Sequence, residues 1–225
     1  EITLVRHAQP DWEPSGAAVD QPTLTKLGFA QSRCTAERLG AETYDALYVS
    51  PLRRARETAE PIAAALKLEP QVRPWLRELE LPPLEGRTPE QVHAFFREGR
   101  LREPDRWWEG YEGGESFRHF YERVASGTDS LLTGEHALGI HESAGHRIWQ
   151  VADWEARVLV VAHEGTISVM TSHLLGIPPN PWTPLRFSIG WTGIARLRTA
   201  QLGRGAVWTL AAFNQTDHLD NLGAP

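Results

Sequence analysis

The sequence predicts an α/β fold: a single-domain three-layer α/β/α sandwich with a mostly parallel sheet, a helical cap insertion over about residues 80–125 and an extra β-hairpin over about residues 138–152. Three observations predict it. Short β-rich runs alternate with helix-like segments through most of the chain. The run Val158-Leu159-Val160-Val161 is apolar at every position, as a strand covered on both faces requires. The length of 225 residues suits one α/β domain, and no linker, repeat or low-complexity tract divides it.

Each element has a local reason. Residues 2–5, Ile-Thr-Leu-Val, form a short strand that ends in Arg6-His7, and a loop rich in Pro, Gly and Asp follows. Thr25 is a good N-cap for a helix over 26–39, closed by Gly40. A second strand covers 44–49. Ser50-Pro51 reads as the cap and first turn of a helix over 52–68. A short strand at 71–73 leads into an extended loop over 76–88, broken by Pro82-Pro83 and Gly86. Helices over 89–100 and 116–132 flank a stretch holding Trp107, Trp108, Tyr111 and Gly113-Gly114, and this excursion is placed to act as a lid. Residues 138–152 alternate around Ser143-Ala144-Gly145, the pattern of a hairpin. The strand over 157–162 ends at His163-Glu164-Gly165, and a helix covers 166–175. Further strands are expected near 185–189, 193–197 and 206–212.

Composition narrows the function classes. Hydrophobic residues make up 41% and charged residues 23%, the balance of a globular protein in water. No run reaches the ~18 apolar residues of a membrane span, and no signal-peptide pattern is present. A net charge of −6 argues against a nucleic-acid or anionic-membrane binder but leaves room for a locally positive cleft. Cys34 is the only cysteine, which rules out an intrachain disulfide and a cysteine zinc site. A reducing, cytoplasmic location fits. The 9 tryptophans read as core and rim packing. No coiled-coil seam or exposed repeat sets an oligomeric state.

Two histidines occupy equivalent places. His7 follows the first strand and His163 follows the strand over 157–162. Ligands of open α/β sheets bind beyond the carboxyl ends of the strands, so neighbouring strands would aim both imidazoles into one crevice. Arg6 precedes His7, and Arg53, Arg54 and Arg56 open the helix at the same sheet edge. Guanidinium forks and a helix N-terminus both suit phosphate. Glu78, in the extended loop, is a candidate proton donor. Singly, each residue has an ordinary reading: a satisfied core histidine, a solvated helix face, one acidic residue among many. Their coincidence at one edge is what carries weight. His136, His141 and His146 are spaced by five, which a hairpin scatters between faces, so no metal site is read from them. His119 and His218 read as structural, and Glu115 as the residue that starts a helix, at the pocket border.

With these residues in place, the chain resembles the histidine phosphatase superfamily, also called the phosphoglycerate-mutase-like family. Leu4-Val5-Arg6-His7-Ala8-Gln9 is similar to its Arg-His-Gly signature, with Ala8 for glycine. Thr25, Gly28 and Gln31 match its L-T-x-x-G-x-x-Q segment, and residues 50–59 its S-D-L-x-R-A-x-x-T-A segment, which selects Arg54 among the three arginines. Leu76-Arg77-Glu78 with Leu84-Glu85-Gly86, Gly113-Gly114-Glu115-Ser116, Val160-Val161-Ala162-His163 and the segment 213–219 complete the series in family order. Glu164 departs from the family's usual glycine, and Pro82-Pro83 from its usual G-x pair.

The resemblance implies a metal-independent phosphatase with no cofactor, acting on a small phosphomonoester. In that mechanism His7 takes the phosphoryl group as a phosphohistidine. Arg6, Arg54 and His163 hold the equatorial oxygens and supply the positive charge a metal would supply. Glu78 donates a proton to the leaving oxygen and later activates water; Glu80 and Glu85 are its alternatives. Gln9, Glu164, Trp107 and Trp108 are the expected substrate contacts. Two rivals remain: a phosphoglycerate mutase, whose relatives usually carry an acidic residue where Gln9 stands, and a silent binding module on the same fold.

Overall fold

The apolar run in the middle of the sequence becomes the most enclosed strand of an eight-stranded sheet. The computed structural model describes residues 1–222. In chain order the elements are β1 (Ile2–Arg6), α1 (Lys26–Gly40), β2 (Ala46–Val49), α2 (Arg53–Leu66), β3 (Pro70–Val72), α3 (Pro89–Arg100), α4 (Phe117–Ser130), β4 (Gly139–Ser143), β5 (His146–Gln150), β6 (Val158–Ala162), α5 (Glu164–Leu174), β7 (Ile194–Leu202) and β8 (Gly205–Gln215). The strand order is β3-β2-β6-β1-β7-β8-β5-β4. Among the described residues no helix is long and apolar enough to cross a membrane.

All five residues of β6 are buried, and strand alternation sorts the central side chains into two cores. Leu4, Tyr48, Val158 and Val160 face one side, with Phe120 and Val124 of α4 and Ile167 and Met170 of α5. Val5, Leu47, Val49, Leu159 and Val161 face the other, with Ala36 and Leu39 of α1 and Ala55, Ala59 and Ile62 of α2. This is the expected three-layer sandwich. Each fully buried aliphatic side chain contributes about 1.5–3 kcal/mol.

The sheet is mixed, not mostly parallel. β3, β2, β6 and β1 run parallel, whereas β1–β7, β7–β8, β8–β5 and β5–β4 pair antiparallel. The connections decide this: two residues, Gly203 and Arg204, join β7 to β8, far too few for a parallel crossover. The expected hairpin is β4–β5, turned at Ala144 and Gly145, which both take left-handed backbone (φ 52° and 76°).

Three expectations need correction. No strand forms at 185–189. A short 3-10 turn ends at Leu185, the Ile189 carbonyl is taken by Arg6, and Gly190 N–H by the Asn214 side chain, so side chains replace a ladder. Ser50 does not cap α2; Leu52 is the N-cap residue and no side chain caps it. Helix α5 starts at Glu164, two residues early, which makes His163 its N-cap residue. In the excursion, α3 has no buried residue, but α4 buries Phe120 and Val124 in the core. The part that stands away from the core thus ends before Phe117. Its aromatic residues pack on one another: Phe95 on Tyr111 and Trp107 on Phe117.

Candidate active site

Three adjacent parallel strands, β2, β6 and β1, deliver Ser50, His163 and His7 to one edge of the sheet. His7 N–H donates to Ala162 O (2.9 Å) and Ser50 N–H to Val161 O (3.0 Å), which sets the three residues side by side. The imidazole centroids of His7 and His163 lie 5.1 Å apart. Both rings are closed to solvent.

His7 is held by its ring and its loop. Its Nδ1 lies 2.8 Å from Ala8 O, and only a protonated Nδ1 can donate there, so the lone pair is on Nε2. Arg54 Nε donates to that Nε2 at 3.2 Å. Burial, together with the nearby Arg54 and Arg6, keeps the His7 pKa well below its ordinary value, against the pull of the Ala8 hydrogen bond. The imidazole is therefore neutral with an available lone pair. The motif residues brace this loop. Ala8 N–H donates to Thr58 Oγ1, and Gln9 N–H to Gln31 Oε1. Thr25 Oγ1 donates to Gln9 Oε1 at 2.7 Å, and a Cβ at Gly28 would strike Gln9 O, so α1 docks only with glycine there.

His163 Nε2 lies 2.7 Å from Ser50 Oγ. The Ser50 oxygen also accepts from Leu52 N–H (3.3 Å), and its hydroxyl can either donate to His163 Nε2 or accept from it. In the tautomer in which Ser50 donates, Nε2 is the acceptor and Nδ1 carries the proton. That Nδ1 is buried and has no partner among the described residues. In that tautomer it is a donor with its bond still to make. Burial, and then Arg54, His7 and Arg6, keep the His163 pKa well below its ordinary value. Burial thus favours the neutral imidazole at His163.

The positive charge comes from the two arginines. Arg54 is 5% exposed, whereas Arg53 turns outward to Glu57 (2.7 Å) and Arg56 is exposed. Burial pushes the Arg54 pKa down to about 10, which still leaves it charged at neutral pH. Arg6 Nη1 donates to Ile189 O (2.5 Å) and pairs with Glu164 Oε2 (3.1 Å), and Ser188 Oγ donates to Glu164 Oε1. The Arg54 guanidinium lies under the ring of Trp12, 4.9 Å from its centroid, and Trp12 is 44% exposed at the mouth.

Glu78 reaches the same place from its loop. Its Oε2 accepts from Gly165 N–H (2.9 Å) and its Oε1 from Leu79 N–H (3.0 Å). Desolvation raises its pKa, while those N–H groups, Arg54 and Arg6 pull the other way. Glu80 and Glu85 are exposed, and Glu85 accepts from Asp20 N–H instead. Arg123 of α4 fixes the loop: it donates to the carbonyls of Trp75, Arg77 and Glu78 and pairs with Glu115 at 2.7 Å. Glu115, just before Ser116 at the N-cap of α4, thus anchors Arg123.

The structure brings together His7, His163, Arg6, Arg54, Glu78 and Glu164, with Gln9 tied into the nucleophile loop. It does not bring Trp107 and Trp108 to them. Trp107 Nε1 donates to Arg102 O and its ring stacks on Phe117, while Trp108 lies against Arg118. Of the other histidines, His136 meets the Tyr48 hydroxyl (3.0 Å), His218 meets Thr35 (3.2 Å), and His119, His141 and His146 lie at the surface. Sequence reasoning missed Ser50, Thr58 and Trp12. Ser50 was within reach, since it ends a strand at the same edge as both histidines.

Known proteins are similar to this chain in sequence and fold. The family model of the histidine phosphatase superfamily (branch 1) matches residues 2–215. Phosphoserine phosphatase 1 of Hydrogenobacter thermophilus is 30% identical over 79% of this chain and 77% of its own. A glucosyl-3-phosphoglycerate phosphatase of Mycobacterium tuberculosis is 31% identical over 82% of this chain and 79% of its own. A probable phosphoglycerate mutase of Yersinia enterocolitica is 28% identical over 98% and 95%. The solved mycobacterial glucosyl-3-phosphoglycerate phosphatase in complex with VO3 superposes with a TM-score of 0.73 at 26% identity, covering 96% of this chain and 99% of the other.

Proposed function

The chain belongs to the histidine phosphatase superfamily (branch 1), and from that premise we propose that it hydrolyses a small phosphomonoester through a phosphohistidine on His7. The observation that carries the reading is the His7 ring: Nδ1 tied to Ala8 O, Nε2 unprotonated beside Arg54, and the whole imidazole kept neutral by burial. Nε2 attacks phosphorus in line with the leaving oxygen. Arg54, Arg6 and the Nδ1–H of His163 donate to the equatorial oxygens, where charge gathers. Each such donor is worth about 2.7–4 kcal/mol of barrier. Glu78, with its raised pKa, protonates the leaving alkoxide; as carboxylate it then takes a proton from the water that attacks the phosphohistidine. Gln9 holds the nucleophile loop. Trp107 and Trp108 stiffen the excursion rather than contact the phosphoryl group.

The two guanidinium groups supply the charge this chemistry needs, so no cofactor is invoked. A net charge of −6 and the single free Cys34 support a cytoplasmic enzyme of small phosphorylated metabolites rather than a nucleic-acid or membrane binder. The similarity to a probable mutase favours one second reading, in which the phosphoryl group returns to an alcohol instead of passing to water. Hydrolysis of p-nitrophenyl phosphate by the wild type and His7→Ala, in EDTA from about pH 4.5 to about pH 8, tests the proposal. Turnover that survives chelation and vanishes in the variant is expected. Equal turnover in both proteins refutes it.

A further inference from the structure

Glu164 stands beside the buried His163, yet its side chain is 33% exposed. One carboxylate oxygen pairs with Arg6 and the other accepts from Ser188. The next peptide N–H, that of Gly165, holds Glu78. Glu78 and Glu164 therefore flank a single peptide unit, one turned to the histidines and one to the mouth. In-line attack by His7 Nε2 puts the leaving oxygen on the far side of phosphorus, and Glu78 must reach that oxygen to protonate it. The departing alcohol leaves past the peptide that carries Glu164.

We propose that Glu164 selects the leaving group: the site takes phosphate esters of polyols or amino alcohols, whose hydroxyl or ammonium group donates to this carboxylate, and rejects alcohols that bear a second negative charge at that place. The proposal rests on the phosphatase reading above and adds to it the chemical class of the substrate. The carboxylate also bonds Arg6, so a purely structural role for Glu164 has to be separated from a selective one. Holding Arg6 affects every substrate alike, because all of them present the same phosphoryl group. Selection affects substrates according to the charge they carry beyond it.

A length-matched series makes the distinction: phosphoethanolamine, 2-hydroxyethyl phosphate and phosphoglycolate, which end in an ammonium, a hydroxyl and a carboxylate. The wild type and Glu164→Gln are compared by kcat/KM on all three. Glutamine keeps an acceptor for Arg6 and a partner for Ser188 and removes only the charge. A unit charge about 6 Å from a carboxylate in a partly wet site changes kcat/KM by about tenfold. The wild type should therefore prefer the ammonium ester to the carboxylate ester, and Glu164→Gln should shrink that preference by about tenfold to a hundredfold. An unchanged preference, with all three esters slowed together or not at all, overturns the selection and leaves the phosphatase intact. No turnover of any ester, and none of p-nitrophenyl phosphate, refutes the phosphatase reading itself and the selection with it.

Discussion

Gly165 is the point where a single methyl group tests the geometry of the proton donor. A Cβ there would sit 2.5 Å from Glu78 Oε1, well inside ordinary contact, and 3.3 Å from Oε2, just inside it, so the obstructing atoms are the carboxyl group itself. Gly165→Ala must therefore push the carboxyl away by about 1 Å, and a shift of that size in a reacting group costs about a hundredfold in rate. The helix would not suffer, since alanine favours helix over glycine by about 1 kcal/mol. The assay is kcat/KM on two esters. An alkyl phosphate has a poor leaving group and needs Glu78 as acid, so it should lose about a hundredfold. p-Nitrophenyl phosphate has a good leaving group and should lose only a few-fold, because kcat/KM counts steps only up to the phosphohistidine. Equal loss on both esters, or no loss on either, would refute the placement of Glu78 as the acid.

Two further predictions follow from the histidines. Ser50→Ala removes the donor to His163 Nε2 and leaves a buried nitrogen unpaired, at about 1–3 kcal/mol of stability. It also frees the imidazole to change tautomer and turn its donor away from the phosphate, so kcat/KM should fall about tenfold to a hundredfold, read alongside urea unfolding. The pH profile of kcat/KM should be a bell. His7 must be unprotonated, and its depressed pKa puts the acid limb below about pH 6.5. Glu78 must be protonated, so activity is lost as pH rises through its raised pKa, and on an alkyl ester Glu78→Gln should lack that alkaline limb, measured against the wild type on the same substrate.

Much of the site was legible because strand polarity is legible. His7 and His163 each follow a short β-rich run, and a sheet delivers both to one edge. Arg54 was separable from Arg53 and Arg56 only through the motif, because helix periodicity alone places three arginines on one turn. Ser50 was misread for a physical reason: a serine before a helix is the ordinary pattern of a cap, and nothing local shows that its hydroxyl belongs to a histidine 113 residues away. The start of α5 was missed similarly, since its N-cap residue, His163, is not a preferred capping residue. The antiparallel half of the sheet was hidden because β7 and β8 read alike whichever way they run, and only the two-residue link at Gly203-Arg204 settles the direction. Glu78 stood ahead of Glu80 and Glu85 only through the motif, and the clasp of Arg123 on the loop carbonyls, from a distant helix, had no local signal. Trp107 and Trp108 carried no signal that they pack within their own excursion.

The covalent intermediate is the claim on which the rest depends. Mixing the wild type with a phosphomonoester, quenching in alkali and mapping the phosphorylated peptide by mass spectrometry reads it directly. Phosphohistidine survives alkali and is lost in acid. The account predicts one alkali-stable, acid-labile phosphoryl group on the peptide that contains His7, absent from His7→Ala. A phosphoryl group on another residue, or full turnover with no label on His7, would contradict it.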